Sequence, residues 1–313
     1  MKFEEKTFVS TDGSTQITYR EYTPDVPPRA VLQICHGMAE HIGRYDDFAR
    51  FAASNGMIVC GCDHKGHGKS KGDAYGYFGK GKALDVLVGD QAKLAGMMRD
   101  AYPGLPYILL GHSMGSFVAR RFIVEHRDLI DGAIICGTAG PGMPVGAGIA
   151  LARFIGVFTP DTAQRPFLGR IAFAGYNKRT GSDDPSAWLS RDESTVKKYN
   201  DDPLCGFAFT PGAYAQMFEC IKTVNAEEWF KKVDKDLPVL VTAGKEDPVG
   251  NYGDGPTKVY NALAANGLMD VRLKLYDEDR HEILNELDKE TVYRDFVDFI
   301  LHAARKASKK ESG

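Results

Sequence analysis

The chain has 313 residues, 43% hydrophobic and 26% charged, and a net charge of −3. That length allows one large α/β domain with an insertion, or two domains. The near balance of 39 basic and 42 acidic residues offers no field for steering nucleic acid, Met1–Lys6 lacks the apolar stretch of a secretory signal, and no apolar run reaches the roughly 18 residues of a membrane span.

In chain order, Thr7–Tyr22 reads as two antiparallel strands turned at Asp12–Gly13. Pro24–Arg29 is a loop. Ala30–Cys35 is a buried strand ending in His36-Gly37-Met38. Tyr45–Ala53 has helical period and stops at Asn55–Gly56. Met57–Cys62 is the next strand and runs into a glycine-rich loop, Asp63–Gly72. Ala83–Tyr102 is helical. Tyr107–Leu110 is a short apolar strand, followed by Gly111-His112-Ser113-Met114-Gly115 and a helix ending near His126. Ile130–Cys136 is a further buried strand. From Gly140 to Thr223 the rhythm breaks into glycines, prolines, aromatics and short helical patterns. It resumes with a strand at Pro238–Ala243, a helix at Thr257–Asn266, a strand at Val271–Tyr276 and a long helix at Lys289–Lys306, after which the tail is expected to fray. Alternating helices and continuously apolar strands argue for a mostly parallel sheet covered on both faces. The broken stretch is too long for a connecting loop and reads as a cap. The expected division is a core of 1–139 and 224–313, with a cap of 140–223.

Four of the six cysteines (Cys35, Cys60, Cys62, Cys136) fall in these strands. They read as small core hydrophobes of a reducing compartment, the cytoplasm. Cys60 and Cys62 lack a second ligand pair at metal-binding spacing. Gly68-Lys69-Ser70 lacks the first glycine of a phosphate-binding loop, since Asp63 stands there. Asp63, His64 and His67 lack a fourth ligand and read as loop hydrogen-bonding groups.

The serine at the strand–turn–helix apex carries the chemistry. Such a turn holds Ser113 in a strained conformation at the top of the sheet, and side chains at Gly111 or Gly115 would block the strand–helix approach. A serine hydroxyl needs a base, and the base needs an orienting acid. In this context the acid and then the histidine follow the serine in the chain. Of eight histidines, only His281 and His302 come late enough. His302 lies inside a helical pattern, whereas His281 follows the last strand and is the expected base. The acid belongs just past the preceding strand, which selects Asp247, with Glu246 as the fallback. Asp279, two residues from His281, reads as a surface charge. The oxyanion donors fall on the backbone N–H groups of Met114 and Met38.

His36-Gly37-Met38-Ala39-Glu40-His41 with Arg44-Tyr45, Asp63-His64-Lys65-Gly66-His67-Gly68, Gly111-His112-Ser113-Met114-Gly115 and His281–Glu286 together resemble the monoacylglycerol lipase and lysophospholipase-like branch of the α/β-hydrolases. That branch is also grouped with serine aminopeptidases. The resemblance spans about residues 8–305. It implies an eight-stranded, mostly parallel sheet flanked by helices, a helical cap after the sixth strand, and no metal or organic cofactor. It places the triad on Ser113, Asp247 and His281, and the oxyanion donors on Met38 and Met114. The family often has a glycine before the histidine, where this chain reads Asp277-Glu278-Asp279-Arg280.

The cap is expected to set the substrate. Ile149, Leu151, Phe154, Ile155, Val157 and Phe158 form an apolar segment, broken by Arg153, that would line an acyl pocket or touch a lipid surface. Phe154, Phe158, Trp188 and Phe207 are the expected substrate contacts, with Phe209, Tyr214 and Met217 adding apolar material. The expected reaction is hydrolysis of a small-molecule or lipid ester, such as a monoacylglycerol or lysophospholipid. An aminopeptidase reading needs a cap carboxylate to hold the substrate amine, from Asp183, Asp184, Asp192, Glu193, Asp201 or Asp202. A non-catalytic scaffold would not need every triad member.

Overall fold

The computed structural model describes residues 1–311. Eight strands form one sheet: β1 Lys2–Val9, β2 Gln16–Thr23, β3 Ala30–Cys35, β4 Met57–Cys62, β5 Tyr107–His112, β6 Gly132–Cys136, β7 Val239–Gly244 and β8 Val271–Tyr276. Their order is β1-β2-β4-β3-β5-β6-β7-β8. Only the β1–β2 and β2–β4 pairings are antiparallel.

Strands β3 to β7 are buried along their whole length because both faces are covered. Alternate residues go to opposite sides. Leu32, Ile108, Leu110 and Ile134 pack with Phe48, Phe296, Ile300 and Ala303, from helices α1 Asp46–Ser54 and a long C-terminal helix. Val31, Leu109, Ile135 and Val241 face Leu87, Leu94, Phe122 and Leu263, from α2 Ala83–Ala101, α3 Met114–Glu125 and a helix after β7. Edge strand β8 instead alternates between exposed and half-buried positions, with charged residues on its outer side.

The connection from β6 to β7 carries α4 Val145–Val157, α5 Pro166–Ala172, α6 Glu193–Asp201, α7 Pro211–Val224 and α8 Glu227–Lys232. A helix α9, Asp254–Ala265, follows β7. The last helix, α10, spans Lys289–Glu311, so the stretch expected to fray is helical to Glu311, and Ser312 and Gly313 lie outside the described residues. Among the described residues, no helix is long and apolar enough to cross a membrane.

One buried cation closes the base of the long connection. Arg120 of α3 is fully buried. It donates to the carbonyl of Ala139 (3.2 Å) just past β6, and to the carbonyl of Val224 and Oδ1 of Asn225 (3.0 Å) at the end of α7. Its guanidinium lies 4.6 Å from the ring centroid of Trp229. Among the described residues no carboxylate meets it, and burial pushes it down to about 9.

Candidate active site

The parallel strands deliver their carboxyl ends to one rim. The connections change direction after β4, where the chain crosses β3 to form β5, which is where sheets of this kind place ligands. Ser113 stands there between β5 and α3, with φ 54° and ψ −122°. Few non-glycine residues adopt this conformation, and here neighbours on all sides enforce it. The Ser113 N–H donates to the Cys136 carbonyl at 3.0 Å. A Cβ on Gly115 would run into the carbonyls of Cys35 and His36, and one on Gly111 into the Gly115 carbonyl and Ala119.

The loop after β3 comes in from the other side. A Cβ on Gly37 would lie 3.1 Å from the Ser113 Cβ, so Met38 follows within reach of the serine. The Met38 N–H makes no hydrogen bond within the described residues. Met114 opens α3, where backbone N–H groups lack helical acceptors. These are two donors of the kind an oxyanion requires.

Asp247 and His281 are buried and face each other across the ends of β7 and β8, with Oδ1 3.0 Å from Nδ1. The pair is at ion-pair distance, but its N–H···O angle is too bent for a formed hydrogen bond. Oδ1 also accepts the Val249 N–H at 2.8 Å. The fallback acid, Glu246, points outward toward Arg179 at 3.7 Å. The His281 ring packs against His112 and Trp188, with centroids 4.7 and 5.1 Å away. His302 lies far from this rim and bonds Asp270 at 2.7 Å.

Asp279 is not a surface charge, as its sequence position suggested. It is 1% exposed and paired at 2.5 Å with Arg191, which lies in the long connection. Glu278, Glu286 and Asp288 converge on the same guanidinium. Burial, then the crowding carboxyls of Asp288 and Glu286, push Asp279 up to about 8 against the pull of Arg191. Asp279 therefore keeps its proton near neutrality in the fold and loses it on unfolding. Its contribution is complete at low pH and disappears as pH rises through about 8. The thermal midpoint is expected to fall as pH rises from about 4 to about 8, and Asp279→Asn is expected to flatten that fall. An unchanged slope in the variant would show that another group is responsible.

Ser113, Met38, Met114 and His281 open onto one cavity of about 1330 Å³. Trp188, Phe207, Tyr214 and Met217 line it, as does Leu151. Phe154 and Phe158 do not. They are 64% and 74% exposed and pack edge to face on the outer side of α4. The reason is helical phase: Phe154 shares the outward side of α4 with Arg153, which pairs with Glu219 at 2.5 Å, while Val145, Gly148 and Ala152 set the inward side. Phe209 is buried against His67 and Phe78 instead.

The glycine-rich loop is a support for this rim. Asp63 accepts the Ile42 and Lys69 N–H groups at 2.9 and 2.7 Å. The His64 N–H donates to His36 Nε2 at 2.9 Å. Burial drives His36 and His67 down to about 3, so both rings are neutral. Among the described residues, two groups have metal-ligand chemistry: His41, Asp202 and Cys205, and Asp279, Glu286 and Asp288. In the first, His41 already bonds Asp202 at 3.0 Å. In the second, Arg191 supplies the positive charge.

Sequence reasoning did not assign a role to Glu40, Arg44, Tyr45, His112 or Glu282. All are buried or nearly so behind the rim and bonded to one another. Their signal was the placing of charged residues immediately beside motifs otherwise made of glycine and apolar residues.

Residues 26–288 match the family model described as serine aminopeptidase, S33. The chain is 28% identical over 292 residues to a monoacylglycerol lipase of Mycolicibacterium smegmatis, covering 92% of this chain and 94% of that protein. It is 27% identical to the monoglyceride lipase of Homo sapiens, covering 90% and 85%. A thermostable carboxyl esterase from Bacillus coagulans, solved in complex with glycerol, superposes with a TM-score of 0.90 at 30% identity, covering 97% of this chain and 99% of that one.

Proposed function

The chain belongs to the serine aminopeptidase S33 family of α/β-hydrolases, and from that premise we propose that it hydrolyses carboxylic esters through an acyl-enzyme on Ser113. The observation that carries this reading is the single apolar cavity onto which Ser113, His281 and the loops of Met38 and Met114 all open. Ser113 Oγ attacks the ester carbonyl while His281 takes its proton, with Asp247 orienting the ring. The N–H groups of Met38 and Met114 receive the oxyanion. His281 returns the proton to the leaving alcohol. It then deprotonates the water that releases the acid from Ser113.

The relatives' names favour a monoacylglycerol over a lysophospholipid. The cavity exceeds the roughly 300–1,000 Å³ of ordinary small-molecule sites and is lined largely by apolar side chains, which suits an acyl chain. Residues 140–223 serve as the cap in this reading, and exposed Phe154, Val157, Phe158 and Ile171 are its contact with a membrane or micelle. Six unbonded cysteines fit a reducing compartment, and we place the protein in the cytoplasm. The aminopeptidase reading is weaker because none of Asp183, Asp184, Asp192, Glu193, Asp201 or Asp202 lines the cavity. A chain-length series of p-nitrophenyl esters and monoacylglycerols, run beside an amino-acyl anilide, tests the proposal. Turnover of the esters and not the anilide is expected, and the reverse order would overturn the ester assignment.

A further inference from the structure

We propose that His112, the residue before the nucleophile, is held as an imidazolium, and that this doubly protonated ring joins the base-bearing loop to the oxyanion loop. The inference rests on the catalytic reading of Ser113 and His281 only for its effect on turnover. The proton assignment stands on geometry.

The hydrogens around this ring can be counted. His112 Nε2 lies 3.1 Å from the His281 carbonyl oxygen, which can only accept, so Nε2 carries a hydrogen. His112 Nδ1 lies 2.9 Å from the Tyr45 hydroxyl, and that hydroxyl lies 2.8 Å from Glu40 Oε1. Tyr45 has one hydrogen to give. If neutral His112 took it, Tyr45 and Glu40 would face each other with lone pairs alone. If Tyr45 gives it to Glu40, Nδ1 must donate as well. A proton on Glu40 would also complete the count. However, Glu40 Oε2 accepts from Arg44 at 2.8 Å and Oε1 accepts the Gly37 N–H at 2.5 Å, and both contacts favour the carboxylate.

Charge balance agrees. Glu40 and Glu282 are buried carboxylates, and Arg44 bridges them, donating to both Glu282 oxygens at 2.5 and 2.6 Å. One guanidinium leaves a buried negative charge that an imidazolium cancels. The groups facing His112 are Glu40 and Tyr45 from the oxyanion side, with Arg44 behind them, and His281 and Glu282 from the base loop. Burial pushes His112 down, but the hydrogen bond and charge of Glu40, then Glu282 and the His281 carbonyl, carry the balance upward.

The result is a closed circuit. It runs from Gly37 through Glu40 and Tyr45 to His112, on to the His281 carbonyl, and back through Glu282 and Arg44. It links the loop bearing Met38, the serine turn and the base. Deprotonating His112 forces Tyr45 to choose one partner and opens the circuit. His112 is a positioning residue in this scheme, acting through the His281 backbone.

Nitrogen-15 NMR of histidine-labelled full-length protein tests the assignment. At pH 7 both ring nitrogens of His112, identified by their loss in His112→Asn, are expected to carry hydrogen. In Glu40→Gln, His112 is expected to show one protonated nitrogen, with kcat lowered about 10- to 100-fold and KM little changed. A singly protonated His112 in the native protein, or an unaltered kcat in Glu40→Gln, overturns the proposal. Should His112→Asn fail to fold, the response of the resonance to Glu40→Gln identifies it. Fluorophosphonate labelling of Ser113 reads the catalytic assignment separately. Labelling beside a neutral His112 rejects this proposal alone, while an imidazolium without labelling rejects the catalytic reading and leaves the proton assignment intact.

Discussion

Ser113→Ala is expected to lower ester turnover by about 10⁶-fold, the scale on which removing the nucleophile of a serine hydrolase acts. The substitution deletes one oxygen at a half-buried position and leaves the φ of 54° with an L-residue as before. The strain of the turn is therefore unchanged, and so is the fold. Two measurements check this together. Single-turnover kinetics on a p-nitrophenyl ester should lose its acyl-enzyme burst, and the thermal midpoint should match that of the native protein. A variant that kept even a hundredth of the native rate would remove Ser113 from the mechanism proposed above.

Gly115→Ala is expected to damage stability and activity at once. The added methyl would meet the backbone carbonyls of Cys35 and His36, at the end of β3, where no flexible side chain can move aside. Overpacking of this kind costs about 1–3 kcal/mol and sometimes more. The displaced segment leads directly into Gly37 and Met38, so the shift also moves an expected oxyanion donor. Misplacement by about 1 Å can cost about 10²-fold in rate. Denaturant melts and kcat measured on the folded fraction separate the two effects. A folded, fully active Gly115→Ala would show that the turn tolerates a side chain and that the oxyanion loop does not depend on it.

The parts legible in the sequence were those whose cause is local. Strands β3 to β7 are continuously apolar because both faces are covered, and such runs stand out against any background. Gly111 and Gly115 mark a turn that has no room for a Cβ. The chain order of serine, acid and histidine selected Asp247 and His281, and the two side chains approach to 3.0 Å. Phe154 and Phe158 were misplaced because apolar residues fill nearly all of α4, and its one charge, Arg153, marks the outward side that Phe154 and Val157 share. Asp279 was misread because its partner, Arg191, lies 88 residues earlier in the chain. The bonds among Glu40, Arg44 and Glu282 likewise cross up to 238 residues. Pairings at such separation are set by topology, and no local spacing encodes them.

Arg120 has a consequence for how this protein could change. Its two amino groups touch the carbonyls at Ala139 and Val224, so the stretch between them departs and returns through a single doorway. Insertions or deletions inside that stretch leave the doorway itself in place, but a wholesale replacement must also supply what Arg191 gives Asp279 and Glu286 and what Phe209 gives His67 and Phe78. A segment exchanged there must therefore offer a backbone oxygen at each doorpost and a cation in the place of Arg191.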